Sequence, residues 1–192
     1  MSAHSPYDVG DPRVLRAIAH PVRSRILDEL GATGPMRAAD VAQALHIPAN
    51  QASFHLRQLA KYGLVTEAPE AARDGRDRVW KVTHESGLSI DVRALAEAPG
   101  GRAAMTVFRR SWTSWAHEAV DRAEQAEHDP ATLVAISDSG LRLTRQDAEQ
   151  LSAELNDLVE TWRRRGLEAG PEARTYQLLQ ILQPAREARG SA

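Results

Sequence analysis

The 192-residue sequence predicts a mainly α-helical protein with small β-hairpins, organised as two units at residues 11–98 and 102–184. Three observations carry that expectation. Apolar residues recur at helical spacing in much of the chain, as in Ala52, Leu56 and Leu59 or in Leu151, Leu155, Leu158 and Trp162. Short β-prone runs such as LVTEA and VWKVT flank a polar loop containing Asp-Gly. Pro99-Gly100-Gly101 breaks the pattern and reads as the boundary between the two units.

In the first unit, Asp11-Pro12 reads as a helix cap followed by proline at the first helical position, opening a short helix through Val14, Leu15 and Ile18. His20-Pro21 interrupts it, and Pro21 begins a second helix that turns Val22, Ile26, Leu27 and Leu30 inward and stops near Gly31. Gly34-Pro35 marks a turn. A third helix is expected over Ala39 to Leu45. After Ile47-Pro48 a fourth runs from about Ala49 to Tyr62 and ends at Gly63. Two short helices joined by so tight a turn have the form of a helix-turn-helix. LVTEA and VWKVT follow as a hairpin whose tip and flank carry Arg73, Arg76 and Arg78, which completes the winged-helix order. A weak helix over Ile90 to Ala96 precedes the boundary.

The second unit opens with a long helix over Arg102 to Glu127, striped by Ala104, Phe108, Trp112, Trp115, Ala119 and Ala126. TLVAIS and LRL, separated by Asp138-Ser139-Gly140, read as a second hairpin. Thr144, with Asp147 three residues on, caps a helix reaching about Arg165. TYQLLQIL reads as a strand, with a helix fitting almost as well. The ends, before Asp11 and after Pro184, are expected to fray.

Composition bounds the function. Hydrophobic residues at 42% and charged residues at 26% are soluble, globular proportions. No apolar run approaches the roughly 18 to 20 residues of a membrane crossing. The opening MSAHSPYDVGDP lacks a signal-peptide pattern, so a cytoplasmic protein with no membrane partner is expected. Without cysteine there are no disulfides, thiolate chemistry or Cys-ligated metals. Residues 1–100 hold 12 Lys+Arg against 12 Asp+Glu and residues 101–192 hold 12 against 14, which places the acidic excess in the second half. No phosphate-binding glycine loop, nucleophile elbow, His-Glu-x-x-His or paired-carboxylate pattern points to an enzyme or to a cofactor.

A helix-turn-helix works by laying its second helix in the major groove of double-stranded DNA, where three or four side chains reach base edges. Asn50, Gln51, Ser53, Phe54 and Arg57 would be those side chains. Asn and Gln suit adenine, Arg suits guanine, and an aromatic ring meets the thymine methyl. Lys61 lies a turn further along and suits phosphate, as do Arg73, Arg76 and Arg78 on the wing. His20 and His55 read as capping or packing residues, since each sits among apolar neighbours.

The stretch from about Val14 to Thr83 resembles the winged-helix domain of the arsenical-resistance repressor (ArsR) family of bacterial transcription regulators. The likeness rests on RAIAHPVRSRILDEL, on ADVAQALHIPANQASFHLRQLAKYGLV and on the wing ending RVWKV. Ser53, His55, Leu56, Leu59, Gly63, Leu64 and Val65 match the family's core pattern in order. The resemblance implies a homodimer that binds a palindromic operator and usually represses. It does not bring the family's metal site, because the third helix reads ADVAQALH without the paired cysteines.

Two other classes of function remain open at this level. A winged helix can serve as a protein-protein module, and the second unit can sense a metal or a small-molecule effector. His117, Asp121, Glu124 and His128 form a ladder on one face of the long helix, but that face lies opposite the tryptophan stripe and reads as solvated charge. Phe108, Trp112, Trp115 and Trp162 suit either a dimer interface or a ligand pocket, with the interface favoured.

Overall fold

The computed structural model describes residues 7–72, 78–84, 88–90, 92–125, 131–170 and 172–185. In chain order its elements are β1 (Tyr7–Val9), α1 (Pro12–Ile18), α2 (Pro21–Thr33), β2 (Met36–Arg37), α3 (Ala38–Leu45), α4 (Ala49–Lys61), β3 (Val65–Glu67), β4 (Val79–Val82), β5 (Leu88–Ile90), α5 (Val92–Glu97), α6 (Gly101–Glu124) and α7 (Arg145–Leu167). A single 3₁₀ turn at Pro69–Ala71 follows β3.

The starts of the first two helices follow from local chemistry. Asp11 Oδ1 accepts the Arg13 backbone N–H at 2.7 Å, and His20 Nδ1 accepts that of Val22 at 3.2 Å. Pro12 and Pro21 occupy positions where a missing N–H costs nothing. One end differs from expectation, because α2 continues through Gly31 and stops at Gly34. An interior glycine only weakens a helix, whereas a terminating one is needed where φ is positive. That residue is Gly34, at φ 85, whose N–H bonds to the Leu30 carbonyl.

Between α3 and α4 the chain turns through His46, Ile47 and Pro48. His46 takes the left-handed conformation (φ 52), and the Ile47 N–H reaches back to the Ala42 carbonyl at 3.0 Å. The expected hairpin is present. β3 pairs antiparallel with β4, placing Val65 opposite Val82 and Glu67 opposite Trp80. β2 adds a third strand on the other side of β4, with Met36 opposite Trp80.

The expectation of a frayed start before Asp11 is corrected at Tyr7–Val9. This segment pairs in parallel with β5, Tyr7 opposite Leu88 and Val9 opposite Ile90. Val9 is fully buried, and the Tyr7 ring stacks on His84 with centroids 4.2 Å apart. A strand of three residues carries no readable alternation, and its partner lies some eighty positions away.

One hydrophobic core serves α1 to α5, the wing and the start of α6. It centres on Leu15, Ile26, Leu30, Val41, Leu56, Leu59, Trp80 and Leu95. Packing continues past Pro99-Gly100-Gly101. Gly101 and Ala104 are buried, a Cβ on Gly101 would collide with the Leu95 carbonyl, and the Arg16 guanidinium donates to the Gly100 carbonyl at 3.2 Å. The first turns of α6 are thereby fixed against α1.

Past Ala104, no described residue is buried. The start of α7 carries the expected cap in full, with the Asp147 N–H donating to Thr144 Oγ1 and the Thr144 N–H donating to Asp147 Oδ2. The other two expectations for this half are corrected. TLVAIS and LRL form no ladder, and TYQLLQIL is neither strand nor helix. β propensity needs a paired neighbour to become a strand. Their contacts include the Leu133 N–H to Tyr176 Oη (3.2 Å), Arg122 to Gln177 Oε1 (2.6 Å) and Thr175 Oγ1 to Glu29 Oε1 (3.4 Å).

Candidate nucleic-acid interface

α4 has two chemically distinct sides. Ala52, His55, Leu56 and Leu59 are buried, and α3 and α2 pack against the helix. Asn50, Gln51, Phe54, Arg57 and Lys61 are exposed, and Ser53 is half-buried. At about 100° per residue, Asn50, Ser53, Phe54, Arg57 and Lys61 fall within an arc of about 100°, and Gln51 lies beside it. That arc is the width of one face of a helix.

Phe54 is the informative member. It is 51% exposed, and its ring meets His55 edge-on with centroids 5.3 Å apart. It therefore stands on the outer face and not in the core. Asn50 spends one acceptor at home, since its Oδ1 takes the Gln51 backbone N–H at 2.9 Å. Arg57 and Lys61 form no ion pair among the described residues, so both cations are available to a ligand.

Behind this face lies a polar cluster. His55 is 8% exposed, and its ring centroid is 4.7 Å from that of His20. Burial, then the nearby His20 and Arg23, hold the His55 imidazole below the ordinary histidine range, and burial does the same to His20. His55 Nδ1 and Arg23 Nε are buried with no hydrogen-bond partner among the described residues. Each histidine was readable from sequence as structural. Their meeting, and the part of Arg23 in it, depends on how α2 crosses α4 and left no local signal.

On the wing, Arg78 is exposed but bridged to Glu67 at 3.0 Å, and Lys81 is bridged to Glu70 at 2.6 Å. Exposed pairs of this kind contribute only about 0–1 kcal/mol, so a phosphate can replace the carboxylate at little cost. Arg73 and Arg76 lie outside the described residues.

The aromatic residues of the second half are not gathered into one site. Phe108 packs against the core, Trp115 is half-buried, and Trp112 and Trp162 are exposed. The Arg165 guanidinium covers the Trp162 ring at 4.8 Å, and among the described residues no ring contact joins Trp162 to Trp112 or Trp115. His117, Asp121 and Glu124 are all exposed on α6, and His128 lies outside the described residues. Among the described residues no group of three or more potential ligands could hold a metal ion, and no helix is long and apolar enough to cross a membrane.

Residues 18–68 match a family model described as a helix-turn-helix domain. The matched span runs from the end of α1 through β3 and includes the whole of α4. Comparison of the chain with curated proteins gives no match. A helix-turn-helix domain points to a DNA-binding regulator of transcription rather than to an enzyme.

Proposed function

We propose that this chain is a sequence-specific transcription regulator of the arsenical-resistance repressor type. It acts as a cytoplasmic homodimeric repressor with a winged helix-turn-helix reader in residues 11–98 and an accessory, dimerising unit in residues 102–184. The observation that carries this reading is the outer face of α4, where Arg57 and Lys61 have no carboxylate partner among the described residues and stand beside exposed Asn50, Gln51 and Phe54.

In this reading α4 lies in the major groove. Asn50 and Gln51 address adenine, Arg57 takes the N7 and O6 acceptors of guanine, and Phe54 rests on a thymine methyl. Ser53 offers its hydroxyl to a base edge, and Lys61, with Arg73, Arg76 and Arg78 of the wing, meets the phosphate backbone. A twofold dimer sets its two α4 helices in successive major grooves, about 34 to 36 Å apart, on an inverted repeat.

Selection of bound fragments from genomic DNA tests the reading directly. The expected result is an inverted repeat with that spacing, bound about 5- to 150-fold more weakly by Arg57→Ala, which corresponds to about 1–3 kcal/mol. Recovery of no shared sequence, with weak and purely salt-dependent retention on DNA, would leave the fold as a protein-protein module.

A further inference from the structure

Arg23 is a partly buried cation with no opposite charge to hold it. It stands half-buried on α2, and its Nε is buried with no hydrogen-bond partner among the described residues. One terminal nitrogen, Nη2, donates to the Arg16 carbonyl of α1 at 3.2 Å. Among the described residues no carboxylate pairs with Arg23. Its neighbours are basic as well. Burial holds the guanidinium below the ordinary arginine range, and burial and then basic neighbours do the same to His20 and His55. A charge taken out of water without a partner is costly, and an anion from outside the chain would complete this cluster.

The place of the cluster points to which anion. The Phe54 ring on the outer face of α4 meets that of His55 at 5.3 Å, and His55 meets His20 at 4.7 Å between centroids. This run of rings leads from the outer face of α4 to the N-cap of α2, and Arg23 lies three residues, about one turn, beyond His20. Tyr62, which closes α4, is near enough to Arg23 to act on its charge. Arg23 and His20 therefore flank α4 on its Phe54–His55 side. A helix 10–12 Å across fills a major groove about 12 Å wide, so groups at its flank face the phosphates of the groove wall.

We infer that the corner where the first turn of α2 meets α4 binds a phosphate of the DNA backbone, with Arg23 and His20 as its donors. The tautomer of His20 suits the task. Its Nδ1 accepts the Val22 N–H, so the proton of the neutral ring is on Nε2, where it can be donated. Arg23 exchanges its bond to the Arg16 carbonyl for a charged partner and presents Nε and a terminal nitrogen together, the fork that suits a phosphate. His55 makes no contact with the phosphate and backs the His20 ring. The site rests on the reading of α4 as the groove-bound helix and adds to it a contact that carries no base preference.

The test compares wild type, Arg23→Met and Arg23→Lys on a mixed-sequence DNA duplex and on the selected operator, across a salt series. Arg23→Met should bind both duplexes about 10-fold more weakly, flatten the salt dependence by about 1 per protomer bound and keep the preference for operator. Its thermal midpoint should hold or rise, because the variant removes a charge that nothing in the fold balances. Arg23→Lys should keep the wild-type salt slope. In operator carrying one neutral methylphosphonate at a time, some position should weaken wild type about 10-fold and Arg23→Met no further. A lowered thermal midpoint in Arg23→Met would show that the guanidinium serves the fold, and would overturn the site. An unchanged salt slope in a stable Arg23→Met would overturn it as well, while loss of operator preference in Arg57→Ala would leave the regulator reading standing. Stabilisation of wild type by millimolar inorganic phosphate, lost in Arg23→Met with the DNA slope unchanged, would give the corner to a free anion and overturn the DNA contact. A wild-type chain that binds neither duplex overturns the regulator reading itself.

Discussion

Phe54 and Leu56 are two residues apart on α4 and should fail in opposite ways when shortened to alanine. Leu56 is fully buried. Its truncation removes transfer energy and leaves a cavity, costing about 2–5 kcal/mol. A body of about 100 residues has roughly 5–15 kcal/mol in all, so its Tm should fall by about 10–20 °C. Phe54, at 51% exposure, buries roughly 60 Å² more than alanine would, worth about 1.5 kcal/mol at 25 cal/mol per Å². Alanine regains about 0.5 kcal/mol in helix propensity, which leaves a net cost of about 1 kcal/mol. In DNA binding the order reverses. Phe54→Ala should weaken operator binding by about 5- to 100-fold and relax discrimination at one base pair, whereas Leu56→Ala, measured well below its Tm, should bind normally per folded molecule. Thermal denaturation followed by circular dichroism, together with titration of labelled operator at fixed salt, reads both quantities. Equal destabilisation by the two variants, with operator affinity unchanged in Phe54→Ala, would return Phe54 to the core and remove it from the interface.

Stability should fall as pH drops from about 7 toward 5. His55 and His20 are held below the ordinary histidine range, so below about pH 6.5 the unfolded chain binds more protons than the folded one. Asp28 keeps an open side to water, yet crowding by surrounding chain pushes it up to about 6, and it acts in the opposite sense over its own range. The test is therefore the difference between wild type and a His20→Gln/His55→Gln double variant in denaturant midpoints, and parallel pH profiles would remove the histidines from the explanation. Gly101→Ala should cost about 1–3 kcal/mol, because its Cβ meets the Leu95 carbonyl and backbone must move. An unchanged urea midpoint would show that α5 and α6 approach less closely.

Much of the first half was legible because its signals are local. Asp11-Pro12 and His20-Pro21 each combine a cap with a proline that suits a helix start, and both caps form as read. Gly31 misled for the opposite reason. Glycine marks a stop only where the backbone needs positive φ, and three residues later Gly34 meets that need. Strands β1 and β2 escaped because runs of three and two residues hold no periodicity, and each owes its existence to a distant partner. On the candidate site, helical period separated Asn50, Arg57 and Lys61 from the buried stripe. It set Phe54 at the edge of the outer face, where the roll of the helix on its neighbours decides the exposure, 51% here. The pairing of Arg78 with Glu67 was hidden for a related reason, since it depends on the β3–β4 register.

The same periodic signal had different outcomes in α4 and α7. Ala52, Leu56 and Leu59 are buried, while Leu158 and Trp162 on an equally regular stripe are 54% and 61% exposed. Periodicity says that a helix has a face to cover and is silent on which molecule covers it. The contrast bears on the reader, because α6 joins the two halves without slack. Its first turns are held by Gly101, Ala104 and the Arg16 contact, and its 24 residues carry that orientation about 36 Å outward. In the proposed homodimer, whatever fixes the far ends of the two α6 helices also fixes the distance between the two α4 helices. Contacts made by the second half would thus set half-site spacing from a part of the chain that contacts no DNA. Lengthening α6 by a full turn of helix near its exposed end should then shift the preferred half-site spacing while leaving the sequence of each half-site unchanged. Operators recovered by selection would read that shift, and a spacing that did not move would separate the second half from the geometry of recognition.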